Sequence, residues 1–159
     1  MADLAVITRK PTPMKLILSL LCFVSVLASA QPPKDFAKNY YAAYSGVPTA
    51  ARLSPFYADE AVIDDPTYDW IGNGKSAIFG NFDQNNLVNH YTWHVDNVIE
   101  GKDGQLVVEG ELSATYKTVP YKMRFVNIFM FNKGGLIVKQ YDYYDNADYF
   151  KAVEKSKGN

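Results

Sequence analysis

The chain has 159 residues with 16 basic and 17 acidic side chains, a net charge of −1, and so carries no electrostatic footprint for nucleic acid or an anionic membrane surface. Its single cysteine, Cys22, rules out a disulfide framework and a cysteine-held metal.

The N-terminus reads as a targeting segment. Met14-Lys15 is followed by an apolar run from Leu16 to Leu27 and then by Ala28-Ser29-Ala30, a small-x-small cleavage signal with the cut expected before Gln31. The run is too short to span a bilayer. Residues 1–13 are either an extended basic leader or an upstream addition to a true start at Met14. Cys22 follows Leu21, where a lipoprotein signal needs a small residue. The expectation is a signal peptide over 1–30 and one exported domain, periplasmic or secreted, over 31–159. Loss of Asp3, Arg9, Lys10 and Lys15 leaves 13 basic and 16 acidic residues, a net charge of −3. That length suffices for one core. All 12 tyrosines and both tryptophans lie in this part, which suits either a deep aromatic cavity with polar tips or a large aromatic core.

In the mature chain Pro33 is read as opening a helix, where the first turn has no internal use for its missing N–H. Phe36, Tyr40, Ala43 and Tyr44 then form one apolar face that ends near Ser45-Gly46. Thr49 is the expected N-cap of a short helix from Ala50 to about Phe56. Ala61 to Asp64 reads as a strand that Pro66 ends, leaving Asp65 extended at its tip. Gly72-Asn73-Gly74 reads as a turn, followed by a helix from Lys75 to about Phe82 with Ile78, Phe79 and Phe82 inward. From Tyr91 the period changes to two. Tyr91–Glu100, Gln105–Tyr116, Tyr121–Asn132 and Leu136–Tyr144 are four predicted strands, turning at Gly101-Lys102-Asp103-Gly104, at Val119-Pro120 and at Asn132-Lys133-Gly134-Gly135. Helices followed by a meander argue an α+β fold with helices on one face of a strongly curved sheet.

Three stretches carry a resemblance: Tyr57-Ala58-Asp59-Glu60-Ala61-Val62-Ile63-Asp64-Asp65-Pro66, Gly72-Asn73-Gly74-Lys75-Ser76-Ala77-Ile78, and Tyr141-Asp142-Tyr143-Tyr144-Asp145. In this order they resemble the SnoaL-like branch of the nuclear transport factor 2-like superfamily, over roughly Lys34 to Asp148. The resemblance implies a cone-shaped α+β barrel, with N-terminal helices packed on a curved antiparallel or mixed sheet enclosing one pocket. The superfamily includes ketosteroid isomerases, polyketide cyclases, limonene epoxide hydrolases, dehydratases and members with no chemistry, so the fold does not choose among them. The resemblance also implies homodimerisation through the outer face of the sheet.

Residue by residue, Asp65 resembles the general base of the isomerases; a turn carboxylate capping local N–H groups is the plainer alternative. Tyr40, preferred over Tyr41 because it shares a face with Phe36 and Tyr44, resembles their oxyanion-hole tyrosine, with a core tyrosine as the alternative. Asn127 resembles the position of their second donor, an acid there and an amide here. Asp142 resembles the inner acid of the epoxide hydrolase motif, but Gln140 replaces the inward basic residue. Arg124, three residues from Asn127, belongs on the opposite face. Asp145 is expected to cap the final helix from Ala147. Tyr44, Trp70, Phe129 and Tyr144 are the expected aromatic lining, with His94, which alternates with Trp93, facing pocket or solvent. His90 and His94 make a poor metal motif, and Glu109 and Glu111 read as a solvated edge. No phosphate loop, nucleophile elbow or Ser-His-Asp order occurs, so no metal and no cofactor are expected. The expected function is binding of a small, largely apolar molecule, with cofactor-independent acid–base chemistry of the isomerase, cyclase or dehydratase type. The alternative is a non-catalytic ligand-binding or protein-interaction module.

Overall fold

The computed structural model describes residues 30–101 and 103–158; the expected signal peptide, apart from Ala30, lies outside them. The hairpin of β5 (Val119–Phe131) and β6 (Ile137–Tyr144) is the spine of the sheet. Its turn is built by Asn132, whose Oδ1 accepts the N–H of Gly134 at 2.9 Å and of Leu136 at 3.0 Å. Gly135 takes φ 76°, and a Cβ there would meet Pro33 Cγ at 2.9 Å, so glycine is required both by conformation and by space. The register sets Asn127 opposite Asp142 and Phe129 opposite Gln140.

On one side β5 pairs antiparallel with β4 (Leu106–Tyr116), which pairs with β3 (Asn89–Glu100). On the other side β6 pairs parallel with β1 (Tyr57–Asp65), which pairs antiparallel with β2 (Trp70–Asn73). The result is an open, curled, mixed sheet of six strands in the order β2-β1-β6-β5-β4-β3. Strict alternation of buried and less buried residues along β4 and β5 gives the sheet a core face and an outer face. A Cβ at Gly110 would run into the His94 carbonyl, so β3 and β4 approach most closely where the β3 register slips between Val95 and Asn97.

Helix α1 (Phe36–Tyr44) packs on the core face through Phe36, Tyr40 and Tyr41. Phe36 stacks on Tyr40 and meets Phe129 and Phe131 edge-on at 5.0 and 4.8 Å, the centre of the core. Tyr41 widens the buried stripe beyond the predicted face. Thr49 caps α2 (Ala50–Leu53), accepting from Arg52 N, and a 3-10 turn at Ser54–Phe56 completes the predicted second helix. Helix α5 (Ala147–Lys157) docks Ala152 in the core and sends Tyr149 toward β5.

Several predicted boundaries move. Pro33 lies ahead of α1 and accepts from Phe36 N at 3.0 Å, while Asp35, in the left-handed region, begins the helix. Gly72 and Asn73 belong to β2, and only Gly74, at φ 84°, turns the chain. The predicted Lys75–Phe82 helix breaks into α3 (Lys75–Phe79) and α4 (Phe82–Asn86) where Asn81, at φ −121° and ψ 17°, leaves the helical region while Gly80 keeps it. The β4–β5 turn falls at Lys117-Thr118, with Lys117 at φ 55°; Val119 and Pro120 begin β5, close enough to its end for proline to be tolerated. Asp145 Oδ1 accepts from Ala147 N only at 3.4 Å, and the N-cap position itself is Asn146.

Candidate active site

Between α1, α3, α4 and the core face of the sheet lies a cavity of about 400 Å³. Tyr40, Tyr44, Asp65, Trp70, Asp142 and Tyr144 all line it, as the sequence led one to look for. Aromatic rings make up more than half of the lining residues.

Asp142 is the focus of the polar groups. Its Oδ1 accepts from Asn127 Nδ2 at 2.6 Å and from Gln140 Nε2 at 2.8 Å; its Oδ2 accepts from the same Gln140 nitrogen at 2.9 Å. Behind these amides stand phenols. Tyr41 donates to Asn127 Oδ1 at 2.7 Å, and Tyr57 donates to Gln140 Oε1 at 2.6 Å. With the Tyr57 proton committed to Gln140, the 2.7 Å contact between the Tyr40 and Tyr57 hydroxyls is a donation from Tyr40. Two donor chains therefore converge on one carboxylate: Tyr41 through Asn127, and Tyr40 through Tyr57 and Gln140. Apart from the Gln140–Asp142 step, which runs within β6, each step joins residues across the hairpin or from α1 and β1, so the register of β5 on β6 and the docking of α1 build the site together.

The electrostatics are a contest between burial and these donors. Burial pushes the Asp142 carboxyl up to about 7, with the charge of Asp65 adding to the rise, while the hydrogen bonds from Gln140 and Asn127 pull it back. Asp65 is buried at the tip of β1 and its Oδ1 accepts from Thr67 N at 3.1 Å. It is thus both a turn carboxylate and a cavity carboxylate. Burial raises it to about 6, moderated by hydrogen bonds from the Tyr68 and Thr67 backbone. Desolvation raises the phenols of Tyr40, Tyr44 and Tyr57 as well, which keeps them protonated donors at any physiological pH.

Three expected positions are corrected. Asn127 is fully buried and does not line the cavity, and one of its two amide N–H groups donates to Asp142, so it positions that carboxylate and does not reach a ligand. Phe129 faces the core, 5.0 Å from Phe36 and 5.2 Å from Tyr40, and does not line the cavity. His94 points outward with its side chain 79% exposed and Nε2 3.3 Å from Asp96 Oδ1; Trp93, its neighbour in the alternation, takes the inward place. Tyr40 lines the cavity, but its proton is given to the Tyr57 hydroxyl.

Among the donors that line the cavity are Tyr44 and Trp93, stacked on each other at 5.0 Å and 18°. Trp93 Nε1 is buried without a hydrogen-bond partner, and the Tyr44 hydroxyl has none among the described residues. Period-two alternation from Tyr91 puts Trp93 and His94 on opposite faces, and the structure gives Trp93 the inward one. Gln140 was visible as a departure from the hydrolase pattern, whereas its pairing with Tyr57 depends on the parallel β1–β6 contact, which no local pattern encodes. Arg124 lies on the outer face, paired with Asp96 at 2.8 Å, and Glu111 pairs there with Lys122 at 2.6 Å, in the middle of the sheet and not at an edge. Among the described residues no group of three or more His, Cys, Asp or Glu is placed to hold a metal ion. No helix among them is long and apolar enough to cross a membrane.

The fold is similar to that of solved structures described as SnoaL-like polyketide cyclases or as having a ketosteroid isomerase-like fold. A candidate SnoaL-like polyketide cyclase from Shewanella denitrificans superposes with a TM-score of 0.63, covering 77% of this chain and 96% of its own at 14% identity. A protein with a ketosteroid isomerase-like fold from Catenulispora acidiphila, solved in complex with trimethylamine, gives 0.63 over 78% and 95% at 16% identity. IdmH, a candidate polyketide cyclase from Streptomyces antibioticus, gives 0.60 over 77% and 98% at 17% identity. No family model matches the sequence, and no curated protein is similar to it in sequence. The likeness is one of fold.

Proposed function

We propose that this domain is a cofactor-independent acid–base enzyme acting on a small, largely apolar molecule, by chemistry of the isomerase, cyclase or dehydratase type. The observation that carries the reading is Asp142, a buried carboxylate in the cavity wall held by three hydrogen bonds from two amides. A general base works best with a pKa near the operating pH, and burial brings Asp142 there. Its Oδ2, with one bond instead of two, is the oxygen that takes a proton from a carbon next to a carbonyl. Asp65 is the second carboxylate, which returns a proton at another position of the substrate. Tyr44 and Trp93 donate to the oxygen on which negative charge develops, the part that Tyr40 cannot play because its proton goes to Tyr57 and Asn127 cannot play because it is buried outside the cavity lining.

The test is solvent deuterium uptake into a β,γ-unsaturated cyclic ketone followed by proton NMR. The wild-type chain should accelerate uptake, and Asp142→Asn should lower the acceleration by ~10²–10⁴-fold, the usual contribution of a positioned general base. Uptake unchanged in that variant would remove Asp142 from the mechanism.

One observation favours the second reading, a non-catalytic binding module: the donors nearest Asp142 are all consumed within the wall. Binding of the ketone with no uptake above buffer would establish that reading. We also propose that the domain works after export, on the strength of the Leu16–Leu27 run and Ala28-Ser29-Ala30. N-terminal sequencing of protein recovered from outside the cytoplasm should begin at Gln31, and an intact Met1 or Met14 would contradict it.

A further inference from the structure

The cavity is unbalanced in charge. Asp65 and Asp142 are buried in its wall, and among the described residues no Lys, Arg or His lines it. Among the described residues every ion pair lies elsewhere, as with Lys75 on Asp59, Lys122 on Glu111 and Arg124 on Asp96. Arg52 spends its guanidinium on the carbonyls of Ala42, Ser45 and Val47. Asp142 is met only by neutral amides, and the one side-chain oxygen of Asp65 bonded among the described residues is Oδ1. Burying a carboxylate without a cation is costly, and the cost is recovered when a cation arrives.

The remaining wall suits a particular kind of cation. Tyr149 meets Tyr68 at 90° and Tyr121 at 65°, with ring centroids 6.0 and 5.4 Å apart, so three rings stand in crossed orientations in the cavity wall. Tyr68 and Trp70 stand beside Asp65, the former two residues beyond the proline that ends β1, the latter paired with Asp65 across the sheet. A positive charge spread over alkyl groups is attracted to such faces through the ring quadrupole. A third, independent feature points the same way. Asn89 lines the cavity at 6% exposure, and its Oδ1 accepts no hydrogen bond, an acceptor left open for an N–H or O–H from outside the chain.

We propose that the molecule this cavity takes is an organic cation, a small alkylated amine, its ammonium seated between the Asp65 carboxylate and the tyrosine and tryptophan faces and its N–H or hydroxyl meeting Asn89. The inference rests on the reading of the cavity as a small-molecule site and narrows the class of molecule. Such a ligand is still largely apolar in surface, and its charge is the counter-ion that the wall lacks.

The experiment compares two isosteres by calorimetric titration of the full chain: para-trimethylammonio-benzyl alcohol and its neutral counterpart para-tert-butylbenzyl alcohol. The ammonium probe should bind about 30-fold more tightly, the equivalent of about 2 kcal/mol for a desolvated cation over aromatic faces. Asp65→Asn, on a strand tip where a neutral side chain still accepts the Thr67 N–H, should remove most of that ratio and leave the neutral probe unaffected. Equal binding of the two probes would overturn the cation proposal and leave the small-molecule site intact. Failure of both to bind would also overturn it, and binding of the cyclic ketone used above then decides separately whether the cavity is a site at all.

Discussion

The two faces of the same sheet treat acidic side chains in opposite ways. On the outer face Asp96 sits 2.8 Å from Arg124 and Glu111 sits 2.6 Å from Lys122, each carboxylate with a cation and both in reach of water. On the inner face Asp65 and Asp142 have no cation among the described residues and are held by N–H groups of amides and backbone. The outer pairs alter little, because solvent screens them whether or not they form. The inner carboxylates have no such cushion, so their protonation depends on burial and on each donor bond, and a change at one donor is felt in the titration of the acid. The difference separates a solvated surface from a site that can move protons near neutral pH.

The largest expected effect is on turnover. Asp142→Asn should reduce deuterium uptake by ~10²–10⁴-fold, whereas Asp96→Asn on the outer face should leave it unchanged. Next comes stability. Gln140→Leu strips two hydrogen bonds from Asp142 and the acceptor from Tyr57, and should cost ~3 kcal/mol in urea unfolding, since buried polar groups without partners bear the full desolvation penalty.

The pH dependence follows from the same contest. Asp142 and Asp65 bind protons more tightly folded, at about 7 and about 6, than at the ordinary 3.8. The folded state therefore takes up protons as pH falls, and the burial cost, full above pH 7, is relieved between about 7 and 4. The urea midpoint should rise as pH is lowered across that window, with a slope of at most ~1.4 kcal/mol per pH unit from Asp142. Asp142→Asn should flatten the upper part of the rise. The smallest effect belongs to the outer face: Arg124→Ala should change stability by no more than ~0.5 kcal/mol and lose even that at high salt. A larger loss there would erase the contrast between the two faces.

Much of the frame was legible in the sequence. The Asn132–Gly135 turn, the period-two strands and the Thr49 cap are local signals, and each states its conformation through residues within a few positions. The inward place of Tyr44 was expected from the helical period, and those of Asp65 and Asp142 from the resemblance to known cones. What local pattern could not show is direction of donation. Asn127 and Tyr40 lie at the expected places, yet their protons run toward Asp142 and Tyr57, a fact fixed by the Asn127–Asp142 register and by β1 lying parallel to β6. His94 and Trp93 show a similar limit, since alternation establishes that neighbours face opposite ways but leaves open which one faces inward.

The most direct measurement is the titration of the Asp142 carboxyl by carbon-detected NMR in the full chain, with Asp142→Asn to assign the resonance. A midpoint near 7 is the expected result, from a carboxylate buried among amides with no cation beside it. A midpoint near the ordinary 3.8 would mean that water reaches Asp142 freely, and would contradict both its buried setting and its role as the base.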